Sequence, residues 1–149
     1  MTVKVAGHWE IGYMAPIMEA NHWNLVCRDF GVDEWLMTPV SGIRNNEAHN
    51  IELCEFADYP SMLDSCGDLT RIFIEPRTEH QNPNTIWLHD FEHPKDCVYI
   101  FGSAHYNPTI THKHEEDKIV SIKTLHDKGV LWSNQCLLVV LYDRMRKCQ

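Results

Sequence analysis

Residues 97-CVYIF-101 are apolar without interruption, and the segment ends at Gly102. A strand with apolar side chains on both faces is typical of the centre of a parallel sheet, where helices cover both sides. On either side of this segment, stretches of strand character alternate with stretches of helical character. This alternation predicts an α/β fold with a mostly parallel sheet, right-handed crossovers and helices on both faces.

Apolar periodicity and turn residues give approximate bounds for the other elements. Residues 85–91 are predicted to begin a helix, whereas 77–84 and 103–117 are predicted to be polar loops. The remaining helices are expected at 16–30, 59–66 and 131–147, and the strands at 2–6, 34–40, 51–56, 71–75, 97–101 and 118–123.

Length and composition indicate one folded domain over residues 1–149. Apolar residues make up 44% of the chain and charged residues 23%, which is typical of a globular protein. Asp and Glu number 21 against 13 Lys and Arg, so the net charge is −8 with neutral histidines. This balance excludes a uniformly cationic nucleic-acid-binding surface, but it leaves a local basic patch open.

The first residues carry no basic segment followed by a long apolar one, so no signal peptide is expected. The longest apolar run, 136-CLLVVLY-142, is too short to cross a bilayer. We therefore expect a cytoplasmic protein without a membrane partner. The six cysteines form no Cys-x-x-Cys pair, and most lie in apolar runs, which predicts buried free thiols.

Three segments of the last third, 100-IFGS-103, 119-IVSIKT-124 and 139-VVLYDR-144, resemble the SPOUT (α/β-knot) methyltransferases. They are most similar to the SpoU/TrmH-type branch, which methylates RNA ribose 2′-hydroxyls. In the first half, 29-DFGVDE-34 resembles the Phe-Gly-Val that joins the first helix of that family to its second strand. The resemblance covers the whole chain in element order and is strongest over 96–144.

The resemblance implies a C-terminal trefoil knot, a homodimer, and RNA such as tRNA or rRNA as substrate. It also implies that S-adenosylmethionine binds to the loops of the knot. An acidic protein of this kind would have to gather its few cations, among them Arg28, Arg44, Arg71 and Arg77, on one rim. By position, the cofactor-binding residues would be Pro76, Arg77, Phe101, Gly102, Ser103, Ile122, Thr124, Val130 and Leu131.

The same resemblance suggests Arg28, Ser133 and Asn134 as catalytic residues. The family has an arginine, a turn glutamate and a helix-start asparagine at positions that are Leu25, Ala104 and Trp132 here. These departures leave an alternative open, in which a catalytically inactive SPOUT-fold protein acts by binding a protein or RNA partner.

Two groups of histidines permit a weaker alternative, a metal enzyme. His89 and His93 have the i, i+4 spacing of zinc ligands on a helix, but Pro94 follows at once, so a solvated turn is predicted. His105, His112 and His114 lie near acidic residues, and a polar loop over the cofactor pocket is predicted there instead. The five tryptophans could stack on bases, although core or interface packing is the preferred interpretation.

Overall fold

A computed structural model of the protein describes residues 1–10, 16–42, 51–75, 82–104, 106–125 and 131–149. The strands form a seven-stranded sheet in the order β3-β2-β1-β6-β4-β7-β5, and every pair of neighbours runs parallel. The elements are β1 (Val3–His8), α1 (Pro16–Asp29), β2 (Glu34–Thr38), β3 (Leu53–Glu55), α2 (Tyr59–Asp64), β4 (Thr70–Glu75), β5 (Thr85–Trp87), a 3-10 turn (Leu88–Asp90), β6 (Cys97–Phe101), α3 (Pro108–His112), β7 (Lys118–Ser121) and α4 (Ser133–Lys147).

The sheet is buried on both faces, as the apolar segment 97–101 predicts. All five residues of β6 are buried. Tyr99 belongs to one apolar cluster, which also includes residues of α1 and α4, whereas Val98 and Ile100 belong to a second cluster with residues of α2. The predicted α/β fold with a parallel sheet and helices on both faces is therefore confirmed. The C-terminal knot and the single domain over 1–149 stay predictions.

Local side-chain chemistry sets where two of the helices begin. Asp58 accepts a hydrogen bond from the backbone N–H of Ser61 and caps α2. At the start of α4, the side chain of Gln135 accepts from the backbone N–H of Trp132 at 2.8 Å. This contact places the first helical residue at Ser133, two residues after the predicted start at Leu131.

Two predictions of secondary structure are wrong. Residues 85–91 do not begin an α-helix, because Thr85–Trp87 pairs as a parallel edge strand with Ile119–Ser121 before the 3-10 turn. The loop predicted at 103–117 contains the short helix α3, whose first turn is capped by the side chain of Asn107. Both elements depend on contacts with distant residues or on a local cap that periodicity does not reveal.

The cysteine prediction is confirmed, and core packing is confirmed for three of the five tryptophans. All six cysteines are free, and Cys27, Cys66, Cys97 and Cys136 are buried. Trp9, Trp23 and Trp35 belong to the apolar core, with at most 4% of their surface exposed. Within the described parts of the chain, no helix combines the length and the apolar character that crossing a membrane requires.

Candidate functional site

A cavity of about 550 Å³ opens at the carboxyl ends of β4 and β6, beside the first turn of α4. Strands β2 and β3 lie on one side of β1, and the later strands lie on the other side. The ends of β4 and β6 therefore lie close to the point where the strand order reverses, and open α/β sheets bind ligands at such points. The described residues that line the cavity are Glu10, Ile74, Glu75, Phe101, Gly102, Ser103, Ala104, Tyr106, Asn107, Pro108, Leu131, Trp132, Ser133 and Cys136.

The turn after β6 forms one wall of the cavity. Ser103 and Tyr106 exchange backbone hydrogen bonds of 2.9 and 3.3 Å across it. A Cβ atom on Gly102 would lie 2.4 Å from the carbonyl oxygen of Tyr106, so no other residue fits without moving the backbone. The close neighbour belongs to the turn itself, so the turn alone requires glycine at this position.

The turn is also held by stacked rings. The ring of Tyr106 is stacked with His8 at 5.3 Å and with Tyr59 at 4.9 Å between centroids. Its hydroxyl lies 2.6 Å from Nε2 of His112. These contacts join β1, α2 and α3 to the turn, and they fix the backbone that faces the cavity.

Glu10 is a cavity residue that the sequence analysis missed. It is 4% exposed, and both of its carboxylate oxygens lie 3.0 Å from the backbone N–H of Ala104. Oε1 also lies 3.3 Å from the hydroxyl of Ser133. Glu10 therefore brings a carboxylate to the turn position where the resembling family has a glutamate and this chain has Ala104. The signal that could have identified Glu10 is its position just after the carboxyl end of β1. The strand extends to His8, whereas the sequence prediction ended it at residue 6.

Glu75, the last residue of β4, brings a second carboxylate to the cavity. Its oxygens accept hydrogen bonds from Asn107 Nδ2 at 2.6 Å and from Thr109 Oγ1 at 2.5 Å. The backbone carbonyl of Glu75 accepts from the hydroxyl of Ser121 at 2.7 Å. Glu75 thus ties the start of α3 to the end of β4, which positions the second wall of the cavity.

The two predicted catalytic residues on α4 have different surroundings. Ser133 lines the cavity, and its hydroxyl donates to the carbonyl oxygen of Gly102 at 2.5 Å. Asn134 is 3% exposed, is not among the lining residues, and its Oδ1 finds no hydrogen-bond partner. The cavity therefore contacts Ser133 directly, whereas Asn134 lies inside the protein beside it.

The structure brings only part of the predicted cofactor set together. Ile122 and Thr124 are half-buried but are not among the described lining residues. Pro76, Arg77 and Val130 lie outside the described residues, as does His105. The predicted cofactor-binding residues that line the cavity are Phe101, Gly102, Ser103 and Leu131.

Arg28 is not brought to the cavity. It lies in the last turn of α1, shortly before the first residue of β2. The amino ends of the strands lie at the opposite edge of the sheet from the cavity. Its guanidinium forms an ion pair of 2.8 Å with Asp29. A catalytic role for Arg28 stays a prediction that the geometry of this chain does not support.

The prediction of a solvated turn at 89–93 is wrong for His93, whose side chain has no exposed surface. Its Nδ1 lies 2.6 Å from the hydroxyl of Tyr99, and its Nε2 lies 3.0 Å from a carboxylate oxygen of Asp143. Because the carboxylate of Asp143 can only accept, a neutral His93 has its ring N–H on Nε2, and the Tyr99 hydroxyl, which accepts from Arg144, donates to Nδ1. His93 therefore belongs to a buried network that joins α4 to β6.

Metal binding gains no support from the parts of the chain that the structure describes. They contain no group of three or more side chains from His, Cys, Asp and Glu with the geometry to hold a metal ion. His112 is used in the stack with Tyr106, and His114 lies 3.7 Å from a carboxylate oxygen of Glu116 at the surface.

Comparisons with known proteins were made at the levels of sequence and structure. No family model and no curated protein matches the sequence. One similar structure is described as giving structural insights into the 2-OH methylation of C/U34 on tRNA. The match covers 99% of this chain and 96% of the other chain, with a TM-score of 0.72 and 10% sequence identity.

Two larger structures match the chain in the same way. The A. aeolicus TrmH/SpoU tRNA-modifying enzyme has a TM-score of 0.71 and 13% identity, over 97% of this chain and 74% of its own. The AdoMet-bound rRNA methyltransferase from Sinorhizobium meliloti has a TM-score of 0.67 and 9% identity, over 99% of this chain and 57% of its own. The chain thus spans little more than half of the latter. Together, the parallel sheet and these matches show that the chain has the fold of the SpoU-type methyltransferases.

Proposed function

We propose that this chain is an RNA methyltransferase that uses S-adenosylmethionine and modifies a ribose 2′-hydroxyl of tRNA or rRNA in the cytoplasm. The observation that carries the proposal is the cavity of about 550 Å³ at the carboxyl edge of a SpoU-type sheet. Its volume lies within the range of about 300–1,000 Å³ that is usual for ligand pockets. A structural neighbour of the same fold is an rRNA methyltransferase with AdoMet bound.

The lining residues fit this cofactor. Phe101, Gly102, Ser103 and Leu131 line the cavity, and the carboxylates of Glu10 and Glu75 suit the positive charge of the cofactor. Pro76, Arg77, Ile122, Thr124 and Val130 complete the proposed binding set. When bound, S-adenosylmethionine supplies an electrophilic methyl group.

The proposed catalytic residues hold the start of α4 against the cavity. The hydroxyl of Ser133 donates a hydrogen bond to the carbonyl oxygen of Gly102, and this bond fixes the side chain beside Glu10. Asn134 follows Ser133 and has a buried amide oxygen that no described residue donates to. Arg28 is left out of the proposed set, because it lies at the opposite edge of the sheet and pairs with Asp29.

We also propose that the protein is a homodimer. Helices α1 and α4 pack against each other and share a set of apolar side chains that face solvent. Burial of such a face in a second copy would remove this surface from water, which favours association. The exposed apolar residues of the two helices are Ile17, Met18, Leu25, Leu138, Val139, Tyr142 and Met145.

Two measurements test the proposed activity. Calorimetric titration with S-adenosylmethionine is expected to detect one site per chain, and tritiated cofactor is expected to label tRNA or rRNA. Ser133→Ala is expected to weaken labelling, while Ser61→Ala, in the exposed part of α2, serves as the control. Failure of the wild-type protein to bind S-adenosylmethionine would refute the proposal.

A second candidate is a catalytically inactive protein that binds a protein partner, and the ion pairs of two described arginines favour it. Arg28 pairs with Asp29, and Arg71 lies 3.3 Å from Asp117, so their charges are neutralised within the chain. Neither is left to bind phosphate in this conformation. Binding of cofactor without labelling of any cellular RNA, together with no retention of RNA at physiological salt, would support this candidate over the enzyme.

A further inference from the structure

A buried carboxylate normally needs a counter-ion. Glu10 is 96% buried, the neutral N–H of Ala104 donates to it, and the neutral hydroxyl of Ser133 lies 3.3 Å from Oε1. Burying an ionised carboxylate is costly unless a positive charge compensates it. Burial raises the pKa of neighbouring Glu19, and the charge of Glu10 contributes to the same shift. Among the described residues, the surroundings of Glu10 therefore supply no positive charge to its carboxylate.

Glu75 also lines the cavity, but it is only half-buried. Its two described side-chain donors are the amide of Asn107 and the hydroxyl of Thr109, both neutral. Among the described residues, no Lys, Arg or His lies within ion-pair distance of either Glu10 or Glu75, and none lines the cavity. The cavity therefore has two carboxylates and no described basic side chain.

We propose that Glu10 and Glu75 select the charge of the ligand, so that the cavity prefers a positively charged sulfonium nucleoside over its neutral thioether counterpart. This inference rests on the proposed function, because it assigns the charge preference of the same cavity. The physical reason is that a cationic ligand supplies a positive charge that none of the described lining residues provides, whereas a neutral ligand of the same shape supplies none. An anionic group such as a phosphate is disfavoured there for the same reason.

Three ligands of similar shape separate charge from shape. S-adenosylmethionine carries a sulfonium, sinefungin carries an ammonium near the same place, and S-adenosylhomocysteine carries a neutral sulfur. Calorimetry on the wild-type protein is expected to give Kd values for the two cationic ligands that are lower by on the order of tenfold. Equal affinity for the charged and the neutral ligand would overturn the inference while leaving the proposed function standing. No binding of any of the three would overturn both.

Glu10→Gln and Glu75→Gln test the source of the preference. Glutamine keeps an oxygen that can accept the N–H of Ala104, so affinity for S-adenosylhomocysteine is expected to stay within about twofold while the preference falls toward unity. Glu34→Gln is the control. Glu34 pairs with Lys4 near the amino ends of β2 and β1, away from the cavity, so this change should leave the preference unchanged. A preference that survives in both cavity variants would overturn the inference. If one variant fails to fold, the other still decides.

Discussion

Gly102→Ala tests whether the turn after β6 builds the cavity. The added Cβ would lie 2.4 Å from the carbonyl oxygen of Tyr106 and 2.9 Å from Cδ of Pro108. Ordinary contact begins at 3.4 Å, so the Tyr106 carbonyl must retreat by about 1 Å. That carbonyl accepts the N–H of Ser103 at 2.9 Å, and the ring of Tyr106 is held in the stack with Tyr59.

The expected loss of stability follows from these contacts. Overpacking costs about 1–3 kcal/mol, and a partly buried backbone hydrogen bond that is lost costs about 1–3 kcal/mol. Since the two effects are coupled, we expect the free energy of unfolding to fall by about 2–4 kcal/mol. For a chain of this length each kcal/mol lowers Tm by roughly 2–4 °C, so Tm should fall by roughly 4–16 °C.

Thermal and urea unfolding measure the stability, and calorimetry with S-adenosylmethionine measures the cavity. Affinity is expected to fall at least tenfold, because Ser103 and Tyr106 both line the cavity. Gly7→Ala is the matched control: its Cβ would lie 2.8 Å from Cη2 of Trp23, so it should also destabilise the core, but Trp23 is not a lining residue. A Gly102→Ala protein with wild-type stability and affinity would refute this account of the turn.

Three further outcomes are expected. Tyr99→Phe should lower the free energy of unfolding by about 2 kcal/mol in a urea titration, because it leaves the buried Nδ1 of His93 without a donor. Tyr142→Phe is the control, since Tyr142 is exposed and its substitution should leave the free energy of unfolding unchanged. Burial lowers the pKa of both His93 and His112, so the unfolded chain binds more protons below about pH 6.5 and stability should fall between pH 7.5 and 5.5; unchanged urea midpoints would contradict this. Leu138→Glu on the exposed face of α4 should convert a dimer into a monomer in light scattering, and a wild-type monomer would contradict the proposed interface.

Much of the sheet could be predicted because its centre has a simple pattern. The bounds of β6 were predicted without error, since all five of its residues are apolar and a glycine follows. The end of α4 at Lys147 was also predicted, since the segment has no Gly or Pro and carries basic residues in its last turn. Such signals are local, and they are present in the chain before any tertiary contact forms.

Edge elements could not be predicted in the same way. β5 has three half-buried residues, and its strand conformation depends on hydrogen bonds to β7, more than thirty residues away. His93 looked like a solvated residue of a polar turn, yet Tyr99 and Asp143 surround it in the fold. In both cases the partners are distant in sequence, and no pattern in the segment itself identifies them.

The sequence by itself determined the α/β class, the central strand and the resemblance to SpoU-type methyltransferases, and that resemblance pointed to Gly102 as a binding residue. Only the tertiary structure decided which charges meet there. Glu10 follows β1 and contacts Ala104, ninety-four residues later, while Arg28 lies at the opposite edge of the sheet. The reason is that β1 and β6 are neighbours in the sheet, so the order of parallel strands, and not separation along the chain, determines which residues share the cavity.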